Sequence, residues 1–204
     1  MHDEDIFRLV LILGFVAVFP IALYHRLKSQ ASKEKLDRRA EGLFVLLTLR
    51  PIALVRMLGL VAWLINPGWM DWSSLRLPLW LRWFGVGLGV ITAVLLIVVY
   101  RSLGTNLTDT VVTRARHTLV TTGPYRWVRH PFYVAYMLAV TADSIVTANW
   151  FLALTGLATI ALFVIRTRTE EQKLVERFGV EYRSYMERTG RFFPRLKSAP
   201  VGSN

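Results

Sequence analysis

Arg166 and Glu170 carry opposite charges where a long apolar block gives way to IRTRTEEQKLVERFGVEYRSYMERTGRFFPRL. Four residues apart on a helix, they lie on one face, one turn above the other. The pair can be a helix-end salt bridge, or a guanidinium and a carboxylate aimed at a ligand. A second polar stretch, RSLGTNLTDTVVTRARHTLVTTGPYRWVRHPFY, runs from Arg101 to Tyr133. It is basic, punctuated by glycine and too polar to cross a bilayer, and long loops in compact proteins are usually functional. Together the two stretches gather His117, Tyr125, Arg129, His130, Tyr133, Arg166 and Glu170. A guanidinium presents a planar fork of donors that matches a carboxylate. Histidine and glutamate can bind hydroxyl or amino groups, and tyrosine rings offer a face to a cation.

These residues need a frame, and the composition supplies a membrane one. Of 204 residues 53% are hydrophobic, above the roughly 45–50% of soluble domains, and the mean hydropathy is positive at +0.39. The excess is concentrated in blocks. Residues 6–24 contain one charge, Arg8, and residues 79–100 contain one, Arg82. Each is about the 20 residues that cross a hydrocarbon core roughly 30 Å thick. Five spans are expected, at 6–24, 43–65, 79–100, 132–148 and 150–165, the last two as a tight helical hairpin broken near Asp143 and Asn149. The whole chain, 1–204, reads as a single all-α integral membrane domain, with three spans in 1–100 and the chemistry in 101–204.

The charge distribution orients the spans. The net charge is +11, and of 25 Lys and Arg six lie in 25–42, five in 101–131 and nine in 166–204. Five alternating spans place those 20 on one side, opposite the acidic N-terminus, Arg76 with Asp71, and Asp143. The expected topology is N-terminus outside and C-terminus cytoplasmic, in a cell (inner) membrane. Basic residues set between apolar blocks speak against a nucleic-acid partner, whose binders are polar throughout. With no cysteine, disulfides, thiolate metal sites and cysteine nucleophiles are excluded, and no metal is expected. The acidic start and the lack of a small-residue cleavage site make a removed signal peptide unexpected.

Local signals fill in the frame. Val111–Thr113 and Thr118–Thr121 can pair as a hairpin, Gly123-Pro124 makes a turn, and Pro131 sits in the first turn of the fourth helix. Leu174, Phe178, Tyr182 and Tyr185 recur at three and four as an amphipathic C-terminal helix, with a break at Gly179. The run Lys28–Glu41 reads as a solvated connection, and Trp69, Trp72, Trp80, Trp83 and Trp150 as an interfacial belt. Arg50 and Arg56 lie inside the second span on either side of Pro51. Either the helix starts near Pro51 and Arg50 reaches the headgroups, or the arginines hold an anionic substrate.

HTLVTTGPYRWVRHPFY, then an R-x-x-x-E-E helix, then FGxEYxxY…RFFP resembles the isoprenylcysteine carboxyl methyltransferase family, within a wider group that includes membrane phospholipid N-methyltransferases. The resemblance covers 101–196, and the first two spans match only in hydropathy. It implies a methyltransferase that takes S-adenosylmethionine in an intramembrane cavity. Consistently, the chain has no strand followed by a glycine-rich turn and helix, as soluble methyltransferases have. By the same resemblance the cofactor is held by His117, Thr118, Leu119 and Val120, by Tyr125, by His130, Pro131, Phe132 and Tyr133, and by Glu170. Arg166 faces the acceptor, with Arg129 as second choice. The family's glutamine falls near Thr110, where this chain differs. Arg168 with Glu171 imitates the pair one register on, but aligning back from Phe178-Gly179 selects Arg166 and Glu170.

A carboxylate acceptor suits this setting, being ionised at neutral pH without a base and needing only to be aimed. The expected acceptor is lipid-like or isoprenoid, with membrane lipids as the other partners. Phospholipid N-methylation is the alternative, and requires a base such as Glu170 or His130. A non-catalytic scaffold or small transporter is the alternative of another class, and leaves the long basic loop unexplained.

Overall fold

The long apolar blocks become long helices, two of them in spite of an interior proline, Pro20 and Pro51. The computed structural model describes residues 3–30, 43–103 and 118–195. Within them lie α1 (Asp3–Gln30), α2 (Leu43–Ile65), α3 (Leu79–Leu103), α4 (Pro131–Thr147), α5 (Trp150–Phe178) and α6 (Val180–Arg188), with short 3-10 turns at Pro67–Ser73 and Gly123–Arg126. Helices α1, α2, α3 and α5 are long and apolar enough to cross a membrane, and α4 is a shorter apolar helix of 17 residues. At 1.5 Å per residue α4 is about 25 Å long, slightly less than the hydrocarbon core. Outward-facing Leu13, Val16, Phe19, Val90, Ile91, Val94, Leu154 and Leu157 are exposed, as lipid-facing side chains should be. The all-helical membrane fold expected from the sequence is therefore the observed one.

Two boundaries differ from the expected spans. Helix α1 continues past Tyr24 to Gln30, since nothing there breaks it and Lys28 suits the negative end of the helix dipole. The rest of the expected connection, 31–42, lies outside the described residues. Helix α2 keeps the expected bounds, Leu43–Ile65, and runs straight through Pro51, so the alternative of a helix starting near Pro51 does not hold. The fifth span and the amphipathic helix are one continuous helix, α5, because no Gly or Pro interrupts 157–178. It ends where expected, at Gly179, whose φ of 54° favours a residue without Cβ.

Helix α3 packs along α4 and α1, α2 along α5, and α4 returns beside α5. The hairpin turns at Ala148 in the left-handed region, and the Asn149 side chain caps α5 by accepting from Leu152 N. Asn149 also donates to Ser73 Oγ at 2.7 Å, and Leu75 N donates to Ala148 O at 2.6 Å. The hairpin tip is thereby pinned to the α2–α3 connection. Glu4 reaches the same end, accepting a two-pronged bond from Arg82 at 2.6 and 2.8 Å. One end of the bundle thus collects the acidic N-terminus, and the other collects the C-terminal ends of α1, α3 and α5.

The charged residues within spans find protein partners, as charges at depth must. Arg82 Nε donates to Val146 O at 2.9 Å, and Arg8 Nε donates to Leu64 O at 2.6 Å. Arg56, inside the second span as expected, is buried and pairs with Asp143. Asp143 faces the bundle interior instead of the outer surface, and Arg56 is held by the protein. Arg50 is exposed on α2.

Candidate active site

Residues 118–121 enter the site without regular structure, and the expected hairpin partner at 111–113, like His117, lies outside the described residues. The chain then tightens into the 3-10 turn at Gly123–Arg126. Tyr125 is buried there, and its carbonyl accepts from Tyr185 Oη of α6 at 2.6 Å. Beyond the turn, Val128 lies parallel to Gly190 in an isolated bridge. Arg129 N donates to Gly190 O at 2.8 Å and His130 N donates to Arg191 O at 3.1 Å. The stretch after α6 therefore straps the loop just before α4 begins.

Glu171 lies under that strap. This buried carboxylate accepts from Arg129 Nε at 2.9 Å, contacts His130 Nε2 at 3.2 Å on the same oxygen, and pairs with Arg191 through the other. Arg129 Nη1 donates to the carbonyls of Met186, at 3.1 Å, and Thr189. A carboxylate with this many charged donors sits in the strongest class of hydrogen-bonded pairs. The cluster joins the loop, α5 and the C-terminal strap into one unit.

Glu170, the adjacent residue, points elsewhere because consecutive helical positions diverge by about 100°. It accepts from Tyr133 Oη at 2.7 Å. The Tyr133 ring lies between two others: it stacks on His130 with centroids 5.5 Å apart and planes 5° apart, and on Phe163 at 4.8 Å and 16°. Arg166 lies three residues after Phe163 and four before Glu170, on that same α4-facing side. It is half-buried, whereas Arg168 is exposed.

Three kinds of known protein information match this arrangement: a family model, named relatives and a solved structure. The family model for the isoprenylcysteine carboxyl methyltransferase family matches residues 85–176, which run from α3 through the loop and α4 to Glu170 and Glu171. That match takes in just under half of the chain. A Rattus norvegicus Protein-S-isoprenylcysteine O-methyltransferase is 31% identical over 135 residues, 64% of this chain and 47% of the rat protein. A Methanethiol S-methyltransferase of Pseudomonas deceptionensis is 34% identical over 76 residues, 37% of this chain and 28% of that protein. The chain thus spans about half, or less, of these curated relatives. The solved eukaryotic intramembrane Ras methyltransferase ICMT superposes with a TM-score of 0.51 at 20% identity, covering 91% of this chain and 72% of that one. At that identity the likeness concerns the fold.

Within this fold, the structure brings His130, Tyr133 and Glu170 to one seam between α4 and α5, and Arg166 lies one turn before Glu170 on α5. Tyr125 is close by, tied to α6. Thr118 is exposed, while Leu119 and Val120 are half-buried on the approach to the turn. Pro131 is buried at the start of α4. Phe132 faces the other way, edge-on to Tyr100 of α3 at 5.9 Å. Arg129 is bound by Glu171 and two carbonyls, which leaves Arg166 as the arginine on the Glu170 side. Glu171, which the spacing offered only as a neighbouring register, joins the site with Arg191 and Phe163, neither of which stood out in the sequence. The only advance signal was RFFP, whose arginine turns out to reach Glu171.

Burial pushes Tyr125, Tyr182 and Tyr185 up, the last to about 12, where Arg129 and a bond with Thr189 partly offset it. All three stay neutral phenols at physiological pH, so they contribute hydrogen bonds and surface and not a base. Among the described residues, no three His, Asp or Glu come together to hold a metal ion.

Proposed function

We propose that this chain is an integral membrane methyltransferase that uses S-adenosylmethionine to O-methylate the carboxylate of a lipid-like or isoprenylated acceptor. The observation that carries the reading is the seam where Tyr133 binds Glu170 between two stacked rings, beside Arg166. The donor set there fits the cofactor. Glu170 suits an ammonium group or ribose hydroxyls, and the irregular backbone at 118–120 can pair with an adenine edge. His117, Tyr125, His130, Pro131 and Phe132 complete the proposed binding set. When bound, S-adenosylmethionine supplies a methyl group activated by positive charge.

The chain's own residues then bind, aim and exclude water. Arg166 holds the acceptor carboxylate by its planar fork, and alignment of this kind supplies several kcal/mol, up to about 7–11 in the best intramolecular models. A dry seam strengthens attraction between an anionic acceptor and a cationic donor. No proton has to move, which agrees with a site whose titratable groups are already engaged. A phospholipid amine would need a base, but Glu170 is taken by Tyr133 and His130 faces Glu171. The names of the relatives, a carboxyl O-methyltransferase and a thiol S-methyltransferase, support methyl transfer as the class. The basic end of the bundle is assigned to the cytoplasm of a cell (inner) membrane.

The reading is tested with purified protein in nanodiscs, methyl-labelled S-adenosylmethionine and a farnesylated cysteine derivative. Label should enter the organic phase and be released as methanol by mild base, as a methyl ester is. Base-stable label on an amine or sulfur overturns the carboxylate assignment, and no transfer to carboxylate, thiol or amine acceptors overturns the enzyme class.

A further inference from the structure

Deep in the bundle, away from the loop and strap, lies a second polar cluster that the proposed reaction does not use. Arg56 of α2 is 4% exposed, pairs with Asp143 of α4, and donates from Nη1 to Leu152 O of α5 at 2.7 Å. Room for its guanidinium comes from Gly156, where an added Cβ would overlap Val140 and lie 3.4 Å from Arg56 Cζ. Tyr136 lies beside the cluster, with its hydroxyl close to Arg56 and to Thr159 of α5. Its ring then meets Phe163 edge-on at 4.8 Å, and Phe163 is the residue stacked beneath Tyr133.

A column therefore runs from Asp143 through Arg56, Tyr136 and Phe163 to Tyr133, which hydrogen-bonds Glu170. Asp143 lies ten residues beyond Tyr133, about 15 Å along α4. The loop-and-strap end of the column is fixed by His130 on Glu171, and the membrane end by Arg56 on Asp143. A buried ion pair is a poor source of net stability, since desolvation offsets much of the attraction. What it fixes well is geometry, because its two partners tolerate few arrangements. The geometry points to Arg56, Asp143 and Tyr136 as positioning residues that set the angle and depth of the Tyr133 ring against Glu170. This rests on the proposed cofactor role of Tyr133 and Glu170, and extends the machinery across the membrane to α2, which lies outside the family-matched residues.

The test is a double-mutant cycle on S-adenosylhomocysteine affinity, with melting temperature recorded alongside. Tyr136→Phe keeps the edge-on contact and removes the hydroxyl. It should weaken binding about three- to tenfold, the range of coupling through packed networks, with little change in melting temperature. Asp143→Asn should weaken binding by a similar factor while also lowering the melting temperature. Because both act through one column, the double variant should bind no worse than the weaker single one. Should Asp143→Asn fail to fold, Thr159→Val takes its place, since Thr159 lies beside the Tyr136 hydroxyl. Wild-type affinity in Tyr136→Phe, or fully additive losses in the double variant, overturns the inference alone. A wild-type protein that binds no S-adenosylhomocysteine overturns the cofactor reading and this inference with it.

Discussion

Glu171→Ala should be the most damaging single substitution at the loop-and-strap end of the bundle, costing about 3–5 kcal/mol, as breaking a buried ion pair by deleting one partner does. The change leaves Arg129 and Arg191 facing each other with His130 between them and no anion to hold them. The strap at 189–191 loses its attachment to α5, and with it the hold on the loop before α4. Glu170→Ala, one residue earlier, should cost only about 1 kcal/mol, since it loses a single bond from Tyr133. Thermal unfolding in one detergent, measured on both variants, separates the two acids. Equal losses would mean that the Glu171 cluster does not hold the site together. The affinities should be ordered differently: a folded Glu170→Ala protein should still bind S-adenosylhomocysteine poorly, because the carboxylate beside Tyr133 is gone.

Arg166→Ala should abolish methyl transfer while leaving cofactor affinity and melting temperature nearly unchanged. If a guanidinium fork aims the acceptor carboxylate, turnover should fall by about a hundredfold or more, as a misplaced reactant costs. Arg166→Lys should recover little, because an ammonium is a point charge without the fork. A surface salt bridge with Glu170 would behave otherwise, losing about 0.2–1 kcal/mol of stability with activity retained. Radiolabel transfer on the three proteins decides between them. An active Arg166→Ala variant would move the search to another arginine, and exposed Arg168 is the first to test.

The spans were legible because an apolar run of about 20 residues has few other uses, and the two ends of the bundle were legible from where the basic residues fall. The continuity of α5 was harder to see: hydropathy drops at Arg166, but hydropathy marks the edge of a membrane and not the end of a helix. Partners of the buried arginines were not legible at all. Arg56 meets Asp143 across 87 positions and Arg82 meets Glu4 across 78, and no local pattern encodes such pairings. The neighbouring acids show the limit most clearly. Spacing put Glu170 on the face of Arg166, but only the packing of α5 against α4 shows that Glu170 meets Tyr133 while Glu171 enters the strap cluster.

The most direct test of the account is calorimetric titration of S-adenosylhomocysteine into the wild-type protein and into Tyr133→Phe, both in detergent. Tyr133→Phe keeps the ring between His130 and Phe163 and removes only the hydroxyl on Glu170. The account predicts saturable one-site binding to the wild type, weakened about tenfold in the variant, as loss of a charge-assisted hydrogen bond implies. Absence of binding to folded wild-type protein, or identical affinity in the two, would contradict it.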